Sequence, residues 1–155
     1  MKKIMYIGSI GSGKTTLCQY IVGEELKYNK TQAVEYYPQM IDTPGEFIQH
    51  RRYYSALQSM AAESEVIGLI SSAIESEMIF SPNFAQNLMR PCIGIVTKID
   101  LIKNEKQIED AKKRLEVAGV HEIYCVSAVT GEGMAELLNN LKENDSDADI
   151  HTNRG

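Results

Sequence analysis

The sequence predicts an α/β fold of three layers, with helices on both faces of a mostly parallel central sheet. Apolar runs alternate with helical patterns almost to the end of the chain, and a glycine-rich turn joins the first run to the first helical pattern. Alternating strands and helices form βαβ units, which place the strands in parallel. The 155 residues are enough for one domain with a substantial core.

Short apolar runs predict the strands. The first leads directly into glycines, Pro38 makes a turn between two short runs, and the run after Pro91 is rich in β-branched residues. The predicted strands are Lys3–Ile7, Ala33–Tyr37, Gln39–Asp42, Val66–Ser71, Cys92–Thr97 and Ile123–Val126.

Helical patterns fill the intervals between these strands. Ser81 followed by Pro82 is typical of a helix start, with an N-cap and a proline at the first helical position. Asn104 is expected to cap a helix whose apolar residues, from Ile108 to Ala118, recur at helical spacing. The predicted helices are Lys14–Val22, Arg52–Ala62, Ser81–Met89, Asn104–Gly119 and Met134–Leu141.

The bulk composition predicts one domain over residues 1–143 and an acidic, disordered tail over residues 144–155. A formal net charge of −5 disfavours a nucleic-acid partner, and no apolar stretch approaches the roughly 18 residues that a membrane span needs. The cysteines Cys18, Cys92 and Cys125 lack ligand spacing, which favours structural thiols in a reducing cytoplasm.

The segment GSIGSGKT, Gly8 to Thr15, fits the phosphate-loop pattern G-x-x-x-x-G-K-[ST] at every fixed position. Glycines let successive backbone N–H groups converge on phosphate oxygens, and Lys14 adds a positive charge for the β- and γ-phosphates. The Thr15 hydroxyl is a candidate Mg²⁺ ligand, and the helix that begins near Lys14 directs its positive end at the same anion. The sequence therefore predicts a nucleotide-binding site.

Three later segments resemble, in order, the remaining motifs of Ras-like and Era-like GTPases: IDTPG at Ile41–Gly45, TKID at Thr97–Asp100 and VSA at Val126–Ala128. The resemblance implies a P-loop NTPase fold of the Ras-like GTPase type that binds GTP or GDP with Mg²⁺. Asp42 would reach Mg²⁺ through water, and the Gly45 N–H would meet the γ-phosphate.

In the same resemblance, Asp100 accepts two hydrogen bonds from the guanine edge, while the Lys98 stem covers the ring and the Ala128 N–H meets the guanine carbonyl. Thr97 departs from the asparagine that is commonest there. The candidate nucleotide-binding residues are Gly8, Ser9, Ile10, Gly11, Ser12, Gly13, Lys14, Thr15, Thr16, Gly45, Thr97, Lys98, Asp100, Ser127 and Ala128.

The region between the phosphate loop and Asp42 is shorter than in Ras-like proteins, so the first switch loop is expected to be abbreviated. Thr31 is the candidate switch-one Mg²⁺ ligand, with a solvated loop threonine as the alternative. Glu46 stands where Ras-like proteins use a glutamine, and it is either a general base beside Lys14 and Thr15 or a surface carboxylate.

Two more features near the switch bear on hydrolysis. Ile10 occupies a loop position where a side chain crowds an incoming arginine finger. His50, Arg51 and Arg52 form a cationic cluster that either stabilises transferring charge or is a solvated helix start.

With DTPGEF followed by RRYYSAL (Asp42–Leu57) and the compressed spacing, the chain resembles the EutP and PduV family of bacterial microcompartment operons over residues 1 to about 142. That resemblance implies a cytoplasmic protein of ethanolamine or propanediol utilisation, with a partner such as a microcompartment shell protein or an associated enzyme. It also implies phosphate binding by Gly8–Thr16, Mg²⁺ binding by Thr15 and Asp42, and base reading by Lys98 and Asp100.

Three functions follow from these patterns. The first is a Mg²⁺-dependent GTPase-type switch that signals to a partner. The second is a small phosphotransferase, an acetate kinase that uses ATP, which the ethanolamine branch of the family suggests. The third is an adaptor that holds nucleotide without turnover.

Overall fold

A five-stranded parallel sheet runs through the part of the protein that the computed structural model describes, which is residues 3–9, 11–28, 39–42, 51–77 and 80–142. Its strands lie in the order β2-β1-β3-β4-β5, and every neighbouring pair is parallel. All residues of β1 and β3 are buried. Because parallel strands are covered on both faces, they form continuous apolar runs in the sequence. The strands are β1 (Ile4–Gly8), β2 (Gln39–Asp42), β3 (Val66–Ser72), β4 (Cys92–Thr97) and β5 (Ile123–Cys125).

Helices connect these strands. They are α1 (Lys14–Tyr28), α2 (Arg51–Ala62), α3 (Lys106–Val117) and α4 (134–142). Two short 3₁₀ segments, Phe84–Leu88 and Ile99–Leu101, lie before and after β4. No helix in the described ranges is both long and apolar enough to cross a membrane.

Two apolar clusters fill the space between the sheet and the helices, one on each face. In β1, Met5 and Ile7 belong to the cluster that includes α2 and α3, while Ile4 and Tyr6 belong to the cluster that includes α1 and α4. Side chains that alternate along a strand point to opposite faces. The sheet therefore has helices on both sides, which confirms the predicted three-layer architecture.

The predicted α-helix Ser81–Met89 is wrong, because the chain forms only the 3₁₀ segment Phe84–Leu88 there. Asn83 and Met89, at φ 61° and 57°, adopt the left-handed conformation that no α-helix contains. The Asn83 and Ala85 amides donate to the carbonyls of Val117 (2.8 Å) and Ala118 (2.9 Å) at the end of α3. Hydrogen bonds between distant segments thus replace those of the expected helix.

The predicted cap at Asn104 is also wrong. Helix α3 begins at Lys106, and its N-cap Glu105 makes no side-chain capping bond. Gln107 supplies the polar contacts instead, since its Oε1 accepts hydrogen bonds from the backbone N–H groups of Lys103 (2.5 Å) and Asn104 (3.4 Å). The glutamine thus reaches backwards to two donors upstream of the helix, which differ from the first-turn donors that a cap at Asn104 would satisfy.

The topology determines where a ligand site can form. The chain leaves β1 for β2 on one side and then returns to place β3 on the other side. Open α/β sheets bind ligands at the carboxyl ends of strands near such a reversal. The predicted strand Ala33–Tyr37 and the predicted tail, residues 144–155, lie outside the described residues.

Candidate nucleotide-binding site

The glycine-rich loop follows β1 at the point where the strand order reverses. Gly11 and Gly13 have φ values of 85° and 95°, which L side chains rarely adopt. A Cβ on Gly8 would lie 2.8 Å from the Ser12 Oγ and 3.1 Å from the carbonyl oxygen of Ile70. In the described part of the loop, the backbone conformation therefore favours glycine at positions 11 and 13, and lack of space favours it at position 8.

Lys14 lies against the backbone of this loop. Its side chain is only 6% exposed, and its Nζ donates to the carbonyl oxygens of Gly8 (2.7 Å) and Ser9 (2.8 Å). Thr15 and Thr16 follow in the exposed first turn of α1. The structure thus places a cation, two hydroxyl groups and a helix N-terminus beside the same loop.

Two side chains at the end of β4 hold the loop from the other side. The Thr97 hydroxyl donates to the carbonyl of Ser12, and the Lys98 Nζ donates to the carbonyl of Gly11 at 2.5 Å. Lys98 has a φ of 62°, a left-handed conformation of the kind that clusters at functional sites. The TKID motif and the phosphate loop are therefore directly bonded to each other.

The predicted base-reading residues surround one cleft at this edge of the sheet. Its volume of about 110 Å³ far exceeds the roughly 10–15 Å³ that a single water needs. The phosphate loop, the first turn of α1, the TKID motif and the VSA motif all contribute to it. The lining residues are Gly13, Thr16, Leu17, Thr97, Lys98, Asp100, Leu101, Val126, Ala128 and Val129.

Ser127 was predicted to contact nucleotide, but it does not line this cleft. It is fully buried, and its Oγ accepts hydrogen bonds from the N–H groups of Val129 (3.2 Å) and Thr130 (3.1 Å). Its backbone N–H donates to the carbonyl of Glu132 at 2.9 Å. Ser127 thus shapes the turn that carries Ala128.

The sequence named Val126 only as the start of the VSA motif, and three other apolar residues of the cleft were missed: Leu17, Leu101 and Val129. Leu101 and Val129 are 54% and 78% exposed, so both keep apolar surface accessible beside the cleft. Only their sequence position could have indicated them, because Leu101 directly follows TKID and Val129 directly follows VSA.

The candidate metal ligands are described only in part. Asp42 ends β2 and is paired in register with Gly8 of β1, so its backbone lies next to the start of the phosphate loop. Within the described ranges, no group of three or more His, Cys, Asp or Glu side chains could hold a metal. Ile10, Thr31, Gly45, Glu46 and His50 lie outside the described residues, as do the side chains of Arg51 and Arg52.

The three cysteines are free thiols. Burial raises the pKa of Cys18 to about 12, although the nearby Lys14 opposes the shift, and burial raises the pKa of Cys92 to about 11. Burial also raises the pKa of Cys125, against a smaller opposing effect of Lys112. Thiolates are the nucleophilic form, so none of these thiols is poised for nucleophilic chemistry at neutral pH.

Comparison with known proteins identifies the family. Residues 1–143 match the family model PduV-EutP, which is described as ethanolamine utilisation - propanediol utilisation. The chain belongs to the PduV-EutP family. The propanediol utilization protein PduV of Citrobacter freundii is 41% identical over 138 residues, which are 89% of this chain and 91% of the relative. The probable acetate kinase EutP of Escherichia coli is 33% identical over 103 residues, 65% of either chain.

Solved structures confirm the predicted P-loop GTPase fold for this PduV-EutP protein. The G domain of the T. maritima FeoB iron transporter gives a TM-score of 0.58 at 19% identity, over 92% of this chain and 98% of that domain. Era of Aquifex aeolicus bound to GDP.AlF4- gives a TM-score of 0.57 at 20% identity, over 91% of this chain and 56% of Era. The chain thus corresponds to about half of Era and to nearly the whole FeoB domain.

Proposed function

We propose that this protein is a Mg²⁺-dependent guanine-nucleotide-binding protein of the GTPase type that serves propanediol or ethanolamine utilisation. One observation carries the proposal: the TKID and VSA motifs, which are far apart in the sequence, line a single cleft together with Gly13 and Thr16 of the phosphate-binding region.

The carboxylate of Asp100 provides the preference for guanine. An ionised carboxylate only accepts hydrogen bonds, and guanine presents N–H donors beside each other on its Watson–Crick edge. Adenine presents one amino donor next to a ring nitrogen acceptor, which faces a carboxylate unfavourably. Asp100 is exposed at the cleft, where an incoming base can reach it. The stem of Lys98 lines the same cleft and offers an apolar surface to the flat ring.

The phosphates would lie over the glycine-rich loop. There Lys14 would exchange its carbonyl partners, Gly8 and Ser9, for phosphate oxygens. The Thr15 hydroxyl and Asp42 are oxygen ligands of the kind that Mg²⁺ takes, and Mg²⁺ sites with nucleotides need only one or two carboxylates because phosphates and waters complete the shell. Bound Mg²⁺ would neutralise charge on the phosphates. The role of Glu46 in hydrolysis remains a prediction from its position after DTPG.

Calorimetry with GTP, GDP, ATP and ADP, with and without Mg²⁺, tests this proposal. We expect selective binding of the guanine nucleotides and a loss of at least about tenfold in affinity for Asp100→Ala, since a lost hydrogen bond to a charged group costs about 1.5–3 kcal/mol. Asp110→Ala is the matched control, because Asp110 lies in α3 and does not line the cleft. Adenine binding that is indifferent to Asp100→Ala would contradict the proposal.

The relative described as a probable acetate kinase favours a second candidate, phosphoryl transfer from ATP to acetate. Lys14 and Mg²⁺ would stabilise the transferring phosphoryl group in that reaction too. Acetyl phosphate formed from ATP and acetate, trapped as the hydroxamate, would support this candidate if Lys14→Ala abolishes it. Activity that survives Lys14→Ala would come from a contaminating kinase.

Turnover separates the switch from an adaptor that only holds nucleotide. Binding of guanine nucleotides with no hydrolysis above the rate of the nucleotide in buffer would favour an adaptor. For both the switch and the adaptor, we propose a microcompartment shell protein or an associated enzyme as the partner, on the basis of the family.

A further inference from the structure

A second cavity shares two loops with the proposed base cleft. It is an open groove of about 460 Å³, within the roughly 300–1,000 Å³ typical of binding sites. Along the TKID loop, Lys98, Asp100 and Leu101 line the cleft, whereas Ile99 and Ile102 line the groove. The turn after β5 likewise contributes Ala128 and Val129 to the cleft, and Glu132 and Gly133 to the groove.

The groove has an apolar floor and an acidic rim. Ile99, Ile102 and Ile108 are half-buried and pack against the core. Around them stand three exposed glutamates and one lysine: Glu105, Glu132, Glu136 and Lys112. Three carboxylates against one ammonium give the rim a net negative charge.

We propose that this groove docks a basic amphipathic segment of a partner protein, and that its occupancy is linked to nucleotide binding in the cleft. An apolar side chain of the segment would cover the isoleucines, and flanking lysines or arginines would meet the glutamates. Charge complementarity of this kind selects a partner and excludes segments of the wrong sign. Residues 144–155 of this chain carry three aspartates and one arginine, so like charges disfavour the chain's own tail as the occupant.

The linkage follows from one hydrogen bond between the two loops and from the close packing within the turn after β5. The Ile99 N–H donates to the carbonyl of Val126 at 3.4 Å, and the Ser127 N–H donates to the carbonyl of Glu132 at 2.9 Å. Gly133 packs so closely on the strand end that a Cβ there would lie 2.1 Å from the carbonyl oxygen of Cys125. A bound peptide segment that moves the groove-lining residues of either loop therefore also moves the cleft-lining residues of that loop. This second half of the proposal rests on the proposed function.

Fluorescence anisotropy with a defined peptide probe tests the docking. The probe is a labelled peptide of repeated Leu-Lys-Lys-Leu units, and two control peptides replace every lysine by glutamate or every leucine by serine. We expect saturable binding of the first peptide only. Glu132→Lys with Glu136→Lys should weaken it at least about tenfold, which is about 1.4 kcal/mol.

Glu63→Lys with Glu116→Lys is the matched control, because it makes the same change of charge at exposed glutamates that do not line the groove. It should retain the affinity within about twofold, or about 0.4 kcal/mol. Equal weakening in both double variants, binding of the serine peptide as tight as the leucine peptide, or no binding at all would overturn the docking. A dimer in light scattering that the Glu132→Lys, Glu136→Lys variant abolishes would replace the partner by a second copy of the chain.

The linkage is tested by calorimetry of GDP with and without saturating peptide. Coupled sites typically change each other's affinity about 5–150-fold, so we expect a change of at least about fivefold, absent in the Glu132→Lys, Glu136→Lys variant. An unchanged GDP affinity would overturn the linkage and leave the docking intact. If no guanine nucleotide binds, the proposed function and the linkage both fail, while the anisotropy measurement, which uses protein without nucleotide, still decides the docking.

Discussion

At the scale of single residues, Gly133 shows how one position controls the turn after β5. Its φ is 75°, and a Cβ would lie 2.1 Å from a backbone oxygen that has no flexible end to move away. We expect Gly133→Ala to lower the free energy of unfolding by about 2–4 kcal/mol, because about 1–2 kcal/mol of left-handed strain adds to the collision. Urea denaturation measures this change.

Gly23→Ala is the control for Gly133→Ala. Gly23 lies in α1, and a Cβ there meets nothing within 4 Å. Alanine is the better residue inside a helix, so this variant should gain about 0.5–1 kcal/mol. Similar stability of the two variants would contradict the strain assigned to Gly133.

The sequence predicts those residues of the candidate site whose side chains belong to a recognisable motif. Lys14, Lys98 and Asp100 have side chains that few other roles explain at their spacing, so the pattern singled them out as candidates. Ser127 was assigned to the nucleotide, but its hydroxyl is used by the backbone of its own turn. Leu101 and Val129 carry no chemical signal, and only the folded chain shows that they lie at the cleft.

At the scale of elements, the 3₁₀ segment Phe84–Leu88 carries a strained residue at its end. Met89 has a φ of 57° and is 81% exposed, so its side chain contributes little burial. We expect Met89→Gly to raise the free energy of unfolding by about 0.5–1 kcal/mol, because relief of left-handed strain exceeds the extra entropy of an unfolded glycine. Met89→Ala keeps the strain and should change it little. A loss of stability in Met89→Gly would show that Met89 makes a stabilising contact.

The five described strands were predictable to within one residue because a parallel sheet buries both faces and so produces apolar runs. The 3₁₀ segment was not, because its conformation depends on carbonyls of Val117 and Ala118 that are far away in the sequence. Ser81-Pro82 is a valid local signal for a helix. Here tertiary hydrogen bonds override local preference.

At the scale of the whole molecule, buried ionisable groups make stability depend on alkaline pH. Burial raises the pKa of Cys18 to about 12 and that of Cys92 to about 11. Burial, with a smaller effect of the nearby Cys18 charge, also raises the pKa of Tyr6 well above its usual value. Thiols of the unfolded chain titrate near pH 9, so above that pH the unfolded state binds fewer protons than the folded state. Stability is therefore full below about pH 9 and falls as pH rises toward the folded values.

We expect the free energy of unfolding to fall between pH 9 and about pH 11, with Cys18 contributing about 1.4 kcal/mol per pH unit. Cys18→Ala should flatten the slope by about that amount in urea denaturation at several pH values. Ile21→Val removes one buried methylene from the same helix and apolar cluster. It should lower the free energy of unfolding by about 0.5–1.5 kcal/mol at every pH and leave its slope against pH unchanged. An unchanged slope in Cys18→Ala would contradict the assignment.

The bonds that hold the glycine-rich loop bear on how an acidic protein would receive the polyanion that we propose as its ligand. The carbonyls of Gly8, Ser9, Gly11 and Ser12 all accept hydrogen bonds from side chains of the same chain, two of them from Lys14. The negative ends of these peptide dipoles are thereby neutralised from within. With these carbonyls occupied, the amide dipoles of the loop would make the potential there less negative than the formal net charge of −5 implies.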